Sequence, residues 1–169
     1  MILAGGRGSR LGGVDKASVE VAGRTLLEHA LGAVRGAGRV VVVGPAKDVA
    51  GVVWAREEPP GGGPVAGVAA GLAHVAARRV VVLAVDQPGV TSSTVERLLG
   101  VGGAAVLVDD EGRPQWLAGV WETDELRAAM PVEPRGASMR SVLGPLRPAE
   151  VAALPGEAWD VDAPGDLAR

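Results

Sequence analysis

The chain has 169 residues, a net charge of −3 and no cysteine, so we expect a single domain over residues 1–169 without disulfides or thiolate metal sites. It has no dense Lys/Arg run, which argues against electrostatic binding to nucleic acid. No apolar run reaches the roughly 18 residues that suggest a membrane span, and no signal peptide is evident. We therefore expect a cytoplasmic protein that binds neither nucleic acid nor membrane.

Apolar strand patterns alternate with helical patterns along the chain. Runs rich in Val are typical of strands buried on both faces, and Thr25 with Glu28 forms a capping-box pattern, as Ser93 does with Glu96. The predicted strands are residues 1–4, 39–43, 52–55, 79–85, 104–108, 115–121 and 159–162. The predicted helices are residues 26–34, 65–77, 93–99 and 123–130. This alternation predicts an α/β fold whose mostly parallel sheet has helices on both faces.

A glycine-rich segment follows the first strand. Glycines let main-chain N–H groups approach phosphate oxygens, and Arg10 and Lys16 add positive charge there. A dinucleotide fingerprint is excluded because Leu11 stands where its third glycine should be, and a P-loop is excluded because Val14 and Asp15 replace its Lys and Ser/Thr. The segment therefore predicts a phosphate site of another type. Its glycines are Gly5, Gly6, Gly8, Gly12 and Gly13.

Residues suited to binding follow the ends of several predicted strands. Ligands of such sheets bind outside the carboxyl ends of the strands. Gly44 follows the second strand, a Pro/Gly loop over residues 58–64 follows the third, and Asp86 follows the fourth. Mg²⁺ prefers one or two carboxylates together with phosphate oxygens and water, so Asp86 is the favoured metal ligand. Asp162 is the candidate second carboxylate, with Asp160 less favoured.

Four segments carry a resemblance to a known family. LAGGRGSRLGGVDK at residues 3–16 resembles the pattern L-A-G-G-x-S-x-R-M-G-x-D-K of nucleotidyltransferases similar to molybdenum cofactor guanylyltransferase, with one extra residue before Ser9 and Leu11 in place of Met. EPPGGGPVAG at 58–67, VDQP at 85–88 and DVDAP at 160–164 resemble later motifs of the family in the same order. The resemblance implies a Rossmann-like three-layer α/β/α nucleotidyltransferase fold.

The same resemblance implies roles for individual residues. Lys16 would contact the α-phosphate or the bridging oxygens, Arg10 would hold the β- and γ-phosphates, and Asp86 would bind both metal and nucleotide. Glu58 stands for an Asp that binds the guanosine portion, with Glu57 as the alternative. Trp116 faces the acceptor or packs in the core, and Arg140 covers the acceptor phosphate or belongs to an ordinary loop. The remaining implied nucleotide contacts are Leu3, Ala4, Gly5, Gly6 and Gly44, which replaces an Asn of some members.

The activity implied is Mg²⁺-dependent transfer of GMP from GTP to Mo-molybdopterin, which releases pyrophosphate and forms a guanine dinucleotide cofactor. Related cytidylyltransferases read A-A-G where this chain has Ala4-Gly5-Gly6, which favours guanine. Two alternatives stay open: transfer of cytidylyl or another nucleotidyl group to a different phosphorylated acceptor, and a non-catalytic nucleotide-binding module. A monomer or weak homo-oligomer is expected, as is contact with a molybdoenzyme chaperone.

Overall fold

The computed structural model describes residues 1–5, 7–8, 14–162 and 165–166. Strands and helices alternate along much of the chain. The strands are β1 (Ile2–Leu3), β2 (Arg7–Gly8), β3 (Val14–Asp15), β4 (Glu20–Val21), β5 (Arg24–Thr25), β6 (Val40–Val43), β7 (Val52–Ala55), β8 (Arg79–Ala84), β9 (Ala105–Val108), β10 (Pro114–Glu122) and β11 (Ala149–Ala152). The α-helices are α1 (Leu26–Ala33), α2 (Pro64–Leu72), α3 (Ser92–Gly100), α4 (Thr123–Ala129) and α5 (Met139–Leu143).

A seven-stranded sheet forms the centre of the molecule, in the order β11–β9–β10–β8–β1–β6–β7. Parallel pairing joins β1 to both β6 and β8, β6 to β7, and β11 to β9. Only β10, among the described strands of this sheet, runs antiparallel to its neighbours β8 and β9. The predicted α/β architecture with a mostly parallel sheet is confirmed.

Helices cover both faces of the sheet because successive side chains of each strand point to opposite faces. Ile2 packs into a core that includes Leu26 of α1 and Leu98 of α3. Leu3, its neighbour in the chain, packs into a second core that includes Leu126 of α4 and residues of α2 and α5. The two cores confirm the three-layer α/β/α arrangement.

One of the two predicted capping boxes is present, and the other is displaced. Thr25 caps α1 through the N–H of Glu28, whose side chain accepts from the Thr25 N–H, as predicted. The prediction that Ser93 and Glu96 form the capping box of α3 is wrong. This helix begins earlier than predicted, and Thr91 and Thr94 form its capping box. Thr94 supplies, with its hydroxyl, the accepting oxygen that the capping pattern usually takes from Glu or Gln. No helix in the described part of the chain has the length and apolarity to cross a membrane.

The small residues of α2 bring this helix close to the middle of the sheet, as its composition predicts. A Cβ on Gly71 would lie 2.7 Å from the Met1 sulfur and 2.9 Å from Cγ2 of Val43. Gly67 likewise packs directly against Leu3. The helix begins at Pro64, whose missing N–H is tolerated in a first turn, and ends at Leu72 rather than at residue 77.

The predicted strand at residues 159–162 is wrong. These residues are irregular, and the last strand of the sheet is β11, which pairs in parallel with β9 at the sheet edge. β11 contains a single β-branched residue, Val151, and is largely exposed, so its sequence gives little strand signal. The main chain at Val161 instead donates its N–H to the carbonyl oxygen of Asp86, at 2.9 Å.

Candidate active site

An open cleft of about 810 Å³ lies at the edge of the sheet where the parallel strands β1, β6, β7 and β8 end. Each of these strands delivers the residues that follow it to the same edge, because parallel strands share one direction. Six of the predicted site residues line this cleft. They are Leu3, Ala4, Gly5, Lys16, Gly44 and Asp86.

The floor of the cleft is main chain from β1 and β6. The Ala4 N–H donates to the Val43 carbonyl oxygen at 2.8 Å, and the Gly44 N–H donates to the Ala55 carbonyl oxygen at 2.9 Å. A Cβ on Gly44 would lie 2.9 Å from the carbonyl carbon of Ala4 and 3.0 Å from the nitrogen of Gly5. Glycine at position 44 therefore lets the two strand ends meet closely, and it leaves the floor without the Asn side chain that the resemblance placed there.

Lys16, Asp86 and Asp162 converge beside this floor. The Lys16 ammonium donates to Oδ2 of Asp86 at 2.8 Å and to Oδ1 of Asp162 at 2.6 Å. The side chain of Lys16 is 12% exposed, that of Asp86 25% and that of Asp162 51%. Three residues that are far apart in the sequence thus form one charged cluster, which opens to solvent on the Asp162 side.

The electrostatics of this cluster favour a further cation. Burial alone would lower the pKa of Lys16, but the hydrogen bonds from its ammonium to Asp162 and Asp86 outweigh that effect and raise the pKa above its ordinary value. Lys16 is therefore charged at neutral pH. Within these three side chains one ammonium faces two carboxylates, and carboxylate oxygens are also groups that bind divalent cations.

The turn that carries Lys16 is fixed by neighbours that the sequence prediction did not assign. Residues Lys16–Ser18 form a 3-10 turn whose N-cap is Asp15, which accepts from the Ala17 N–H at 3.2 Å. The Lys47 ammonium, in the loop after β6, contacts the Asp15 carboxylate and lies 2.6 Å from the Ser18 hydroxyl. Hydrogen bonds from Lys47 and Ser18 outweigh the opposing effect of burial and lower the pKa of Asp15.

Asp160 lies in the same neighbourhood as the cluster. Restricted hydration of its carboxyl and the negative charge of Asp86 raise its pKa, although the residue as a whole is exposed. Gln87, which is buried next to Asp86, opposes this shift through a hydrogen bond to Asp160. Asp162, and not Asp160, makes the hydrogen bond to Lys16, which agrees with the order of preference predicted from the sequence.

The wall of the cleft opposite the charged cluster comes from the loop after β7. Glu57 lines the cleft and accepts the Gly61 N–H at 2.9 Å, whereas Glu58 is exposed and is not part of the described lining. Of the two, the described lining thus contains Glu57, the alternative that the sequence left open, and its contact with nucleotide stays a prediction. Arg56 and Arg135 also line this wall. A lone arginine in a loop, such as Arg135, has no sequence pattern that would have identified it.

Four further predicted residues are not part of the described lining. Gly6 and Arg10 lie outside the described residues. Trp116 is half-buried, packs against the core that contains α5, and has its ring 3.9 Å from where a Cβ on Gly144 would lie, so its packing alternative is the one observed. Arg140 is exposed on α5 and is not among the residues described as lining the cleft.

The donor set fits a magnesium ion bound together with a ligand. In the described part of the chain no three His, Cys, Asp or Glu residues form a complete metal cage. Asp86 and Asp162 do place carboxylate oxygens around one cation, the Lys16 ammonium. Mg²⁺ typically takes one or two carboxylates and completes its shell with phosphate oxygens and waters, so two converging carboxylates suffice.

A glycine-floored cleft at the carboxyl ends of parallel strands, with a lysine and paired carboxylates at one side, is typical of an α/β protein that binds a phosphorylated ligand. Comparison with known proteins identifies the family. Residues 1–151 match the family described as the MobA-like NTP transferase domain, and the chain belongs to it. The match ends before Asp162.

Individual relatives agree with this assignment. The molybdenum cofactor guanylyltransferase of Acidiphilium cryptum (strain JF-5) is 39% identical over 132 residues, which cover 72% of this chain and 65% of that protein. The matched region thus spans less than two thirds of the relative's length. The same fold is found in molybdopterin-guanine dinucleotide biosynthesis protein A from Archaeoglobus fulgidus (TM-score 0.69, 24% identity, 99% of this chain and 93% of that chain). It is also found in 2-C-methyl-D-erythritol 4-phosphate cytidylyltransferase from Thermus thermophilus (TM-score 0.75, 26% identity, 99% and 94%).

Proposed function

We propose that this protein is a nucleotidyltransferase that transfers GMP from GTP to Mo-molybdopterin and releases pyrophosphate. The observation that carries the proposal is the convergence of Lys16, Asp86 and Asp162 beside a main-chain floor at the ends of parallel strands. The relatives named molybdenum cofactor guanylyltransferase support the choice of nucleotide and acceptor.

The reaction needs alignment and charge neutralisation more than covalent help from the protein. An oxygen of the acceptor phosphate forms a bond to the α-phosphorus of GTP. The bond from that phosphorus to the α–β bridging oxygen breaks, and pyrophosphate leaves with the electron pair. The acceptor phosphate oxygen is already nucleophilic, so no general base is required of the protein. Lys16, on its fixed turn, stabilises the negative charge that develops on the bridging oxygen.

Asp86 and Asp162 would hold the magnesium ion in this proposal. The ion supplies charge neutralisation at the phosphates and orients the leaving group. The two carboxylates share the Lys16 ammonium in the structure. With a metal nucleotide bound, the two carboxylates would face the ion, and the Lys16 ammonium would be left to the phosphates. Gly44 and Gly5 let the nucleotide lie directly on the floor, because no side chain stands between it and the main chain.

The base is recognised at the wall formed by the loop after β7. Glu57 is the carboxylate that lines the cleft there, and a carboxylate can accept hydrogen bonds from the N–H groups of a guanine edge. Cytidylyl transfer is the second candidate, because the fold is also that of the Thermus cytidylyltransferase at 26% identity. Glu57 can distinguish guanylyl from cytidylyl transfer only by experiment: the nucleotide whose use is lost when Glu57 is removed is the one that it recognises.

Pyrophosphate release tests the proposal directly. The full chain is incubated with Mg²⁺, purified Mo-molybdopterin and each of GTP, CTP, ATP and UTP. We expect GTP to give at least about tenfold more release than CTP, which corresponds to about 1.4 kcal/mol of discrimination. Asp86→Ala should reduce release by about a thousandfold, a loss similar to that for removing one group that stabilises transition-state charge.

Asp124→Ala is the matched control, because it removes a carboxylate that is 98% exposed and belongs to α4, away from the described lining of the cleft. This variant should retain wild-type activity. Preference for CTP would replace the guanylyl proposal with the cytidylyl one. GTP binding without release of pyrophosphate from any nucleotide would favour a non-catalytic binding module.

A further inference from the structure

The segment of residues 153–162, here called the 153–162 arm, brings Asp162 to the cleft without the help of regular secondary structure. The arm follows β11 and consists of turns and irregular chain up to Asp162. A strand would be fixed by a ladder of hydrogen bonds with its neighbour, and the arm has none. The position of Asp162 therefore depends on the individual contacts that hold the arm against the rest of the molecule.

A partly buried ion pair, between Arg97 and Glu157, is the first of these contacts. Glu157 is 5% exposed, and its carboxylate accepts two hydrogen bonds from Arg97 of α3, at 2.7 Å and 3.0 Å. Oε1 also accepts from the Thr94 hydroxyl at 2.5 Å, and Oε2 accepts from the Leu154 N–H at 2.7 Å. Arg97 in addition donates to the Ala152 carbonyl oxygen at 3.1 Å. Glu157 is thus bound to α3 and within its own arm, and Arg97 is bound to the arm and to the end of β11.

The full satisfaction of this carboxylate makes the pair a stable anchor. Burial alone would raise the pKa of Glu157, but hydrogen bonds from Arg97, Thr94 and the Leu154 N–H outweigh it and hold the pKa below its ordinary value. A bidentate arginine–carboxylate pair also fixes direction, because two parallel hydrogen bonds define the relative orientation of both groups. Glu157 can therefore orient the turn that precedes Asp162.

The arm also packs closely against the segment that carries Asp86. A Cβ on Gly89 would lie 1.9 Å from the carbonyl oxygen of Gly156, so only glycine at position 89 allows this approach. Further along, the fully buried Val161 donates its N–H to the carbonyl oxygen of Asp86 at 2.9 Å. This hydrogen bond, four residues beyond Glu157, joins the main chain next to Asp162 to the main chain of Asp86.

We propose that Arg97 and Glu157 are positioning residues, which hold the 153–162 arm so that Asp162 faces Lys16 and Asp86 and completes the divalent cation site. This inference rests on the proposed function, because the cation site is part of it. Arg97 and Glu157 lie outside the described lining of the cleft. They act through the arm, without contact to nucleotide or metal.

The decisive variant is Glu157→Gln. Glutamine has the shape of glutamate, but its amide nitrogen would face Arg97 together with either Thr94 or the Leu154 N–H. The guanidinium and the main-chain N–H can only donate, so the amide nitrogen would oppose at least one donor. Binding of Mn²⁺ to the full chain in the presence of GTP is measured by electron paramagnetic resonance, and hydrogen exchange is followed at the Val161 amide. We expect Mn²⁺ affinity to fall about tenfold, as for outer-shell partners of metal ligands, and the Val161 amide to exchange about tenfold faster.

Two further variants separate positioning from general loss of structure. Arg97→Lys keeps the positive charge but loses the bidentate geometry, so it should give an intermediate loss of Mn²⁺ affinity. Asp124→Asn removes a comparable but exposed pair, with Arg127 at 2.9 Å, and should change neither readout. Exchange in α1 and β6 should stay at the wild-type rate in all three variants.

Wild-type Mn²⁺ affinity in Glu157→Gln, together with a large loss in Asp162→Asn, would overturn the positioning role while leaving the proposed function intact. If the wild type does not bind Mn²⁺ with GTP, the proposed metal site fails, and exchange at Val161 then decides the role of the pair alone. Unchanged protection of Val161 in Glu157→Gln contradicts the inference in either case.

Discussion

The two carboxylates of the charged cluster are held in place by different means. Asp86 follows β8, which lies in the middle of the sheet between β1 and β10, and its side chain is 25% exposed. Asp162 lies on the irregular 153–162 arm, and its side chain is 51% exposed. The first position is fixed by ladders on both sides of a strand. The second depends on individual contacts, among them an ion pair, a close glycine contact and several hydrogen bonds, so it is more sensitive to changes at distant residues.

Removal of each carboxylate charge in turn is expected to have the largest effect. Asp86→Asn should lower kcat/KM for pyrophosphate release by about a thousandfold. Asp162→Asn should lower it by about tenfold to a hundredfold, because an exposed ligand on an irregular segment is more readily replaced by water. Steady-state kinetics at several Mg²⁺ concentrations measure both. An equal or larger loss in Asp162→Asn would show that the arm carries the principal ligand.

Gly89→Ala should displace the arm without touching any charge. The new Cβ would meet main-chain atoms of Gly156, which cannot move away as a flexible side chain can. We expect a loss of about 1–3 kcal/mol in the free energy of unfolding and a roughly tenfold loss of activity, measured by chemical denaturation and by pyrophosphate release.

Gly100→Ala is the matched control for this prediction. Gly100 ends α3 and has open space where its Cβ would lie, so alanine should leave the stability within about 1 kcal/mol of the wild type. Equal stability and activity of the two alanine variants would mean that the arm tolerates displacement.

Acid should remove the contribution of the Arg97–Glu157 pair to stability. The pKa of Glu157 is lowered in the folded protein from 4.5, so its contribution is complete above about pH 4.5 and is lost as the pH falls through the lower native pKa. The wild type should be more stable than Glu157→Gln by about 2 kcal/mol at neutral pH, and this difference should shrink towards zero in acid. Thermal unfolding of both proteins from about pH 3 to pH 7 provides the measurement; a difference that is constant over this range contradicts the assignment.

The smallest effect is expected at Lys47, in the loop after β6. Lys47→Met removes the ammonium that contacts Asp15 and Ser18 but keeps the apolar stem. The pair is partly exposed, so its loss should cost about 0.5–1 kcal/mol, seen as a roughly twofold to fivefold rise in KM for GTP at unchanged kcat. Arg78→Met, which breaks the exposed pair with Glu122, should leave KM unchanged. A fall in kcat instead would mean that Lys47 acts on the reacting groups.

The sequence predicted the sheet side of the site better than the arm. Val-rich runs identify the central strands, so the pattern of residues alone places Gly44 and Asp86 at strand ends. Residues 159–162 of the arm are predicted as a strand, but the arm's conformation depends on contacts with α3 and with the segment after β8, which lie far away in sequence. Glu157 and Arg97 belong to no sequence motif, because they are 60 positions apart and come into contact only in the folded structure.

The contact between Lys16 and Asp162 joins residues that are 146 positions apart. During synthesis, which proceeds from the N-terminus, Lys16 and the glycine segment leave the ribosome long before Asp162 is made. Contacts between residues that are far apart in sequence form late, because they close the longest loops. A nascent chain can therefore build most of its sheet while the charged cluster still lacks one carboxylate, and the cluster is completed only after the last strand of the sheet, β11, has been made.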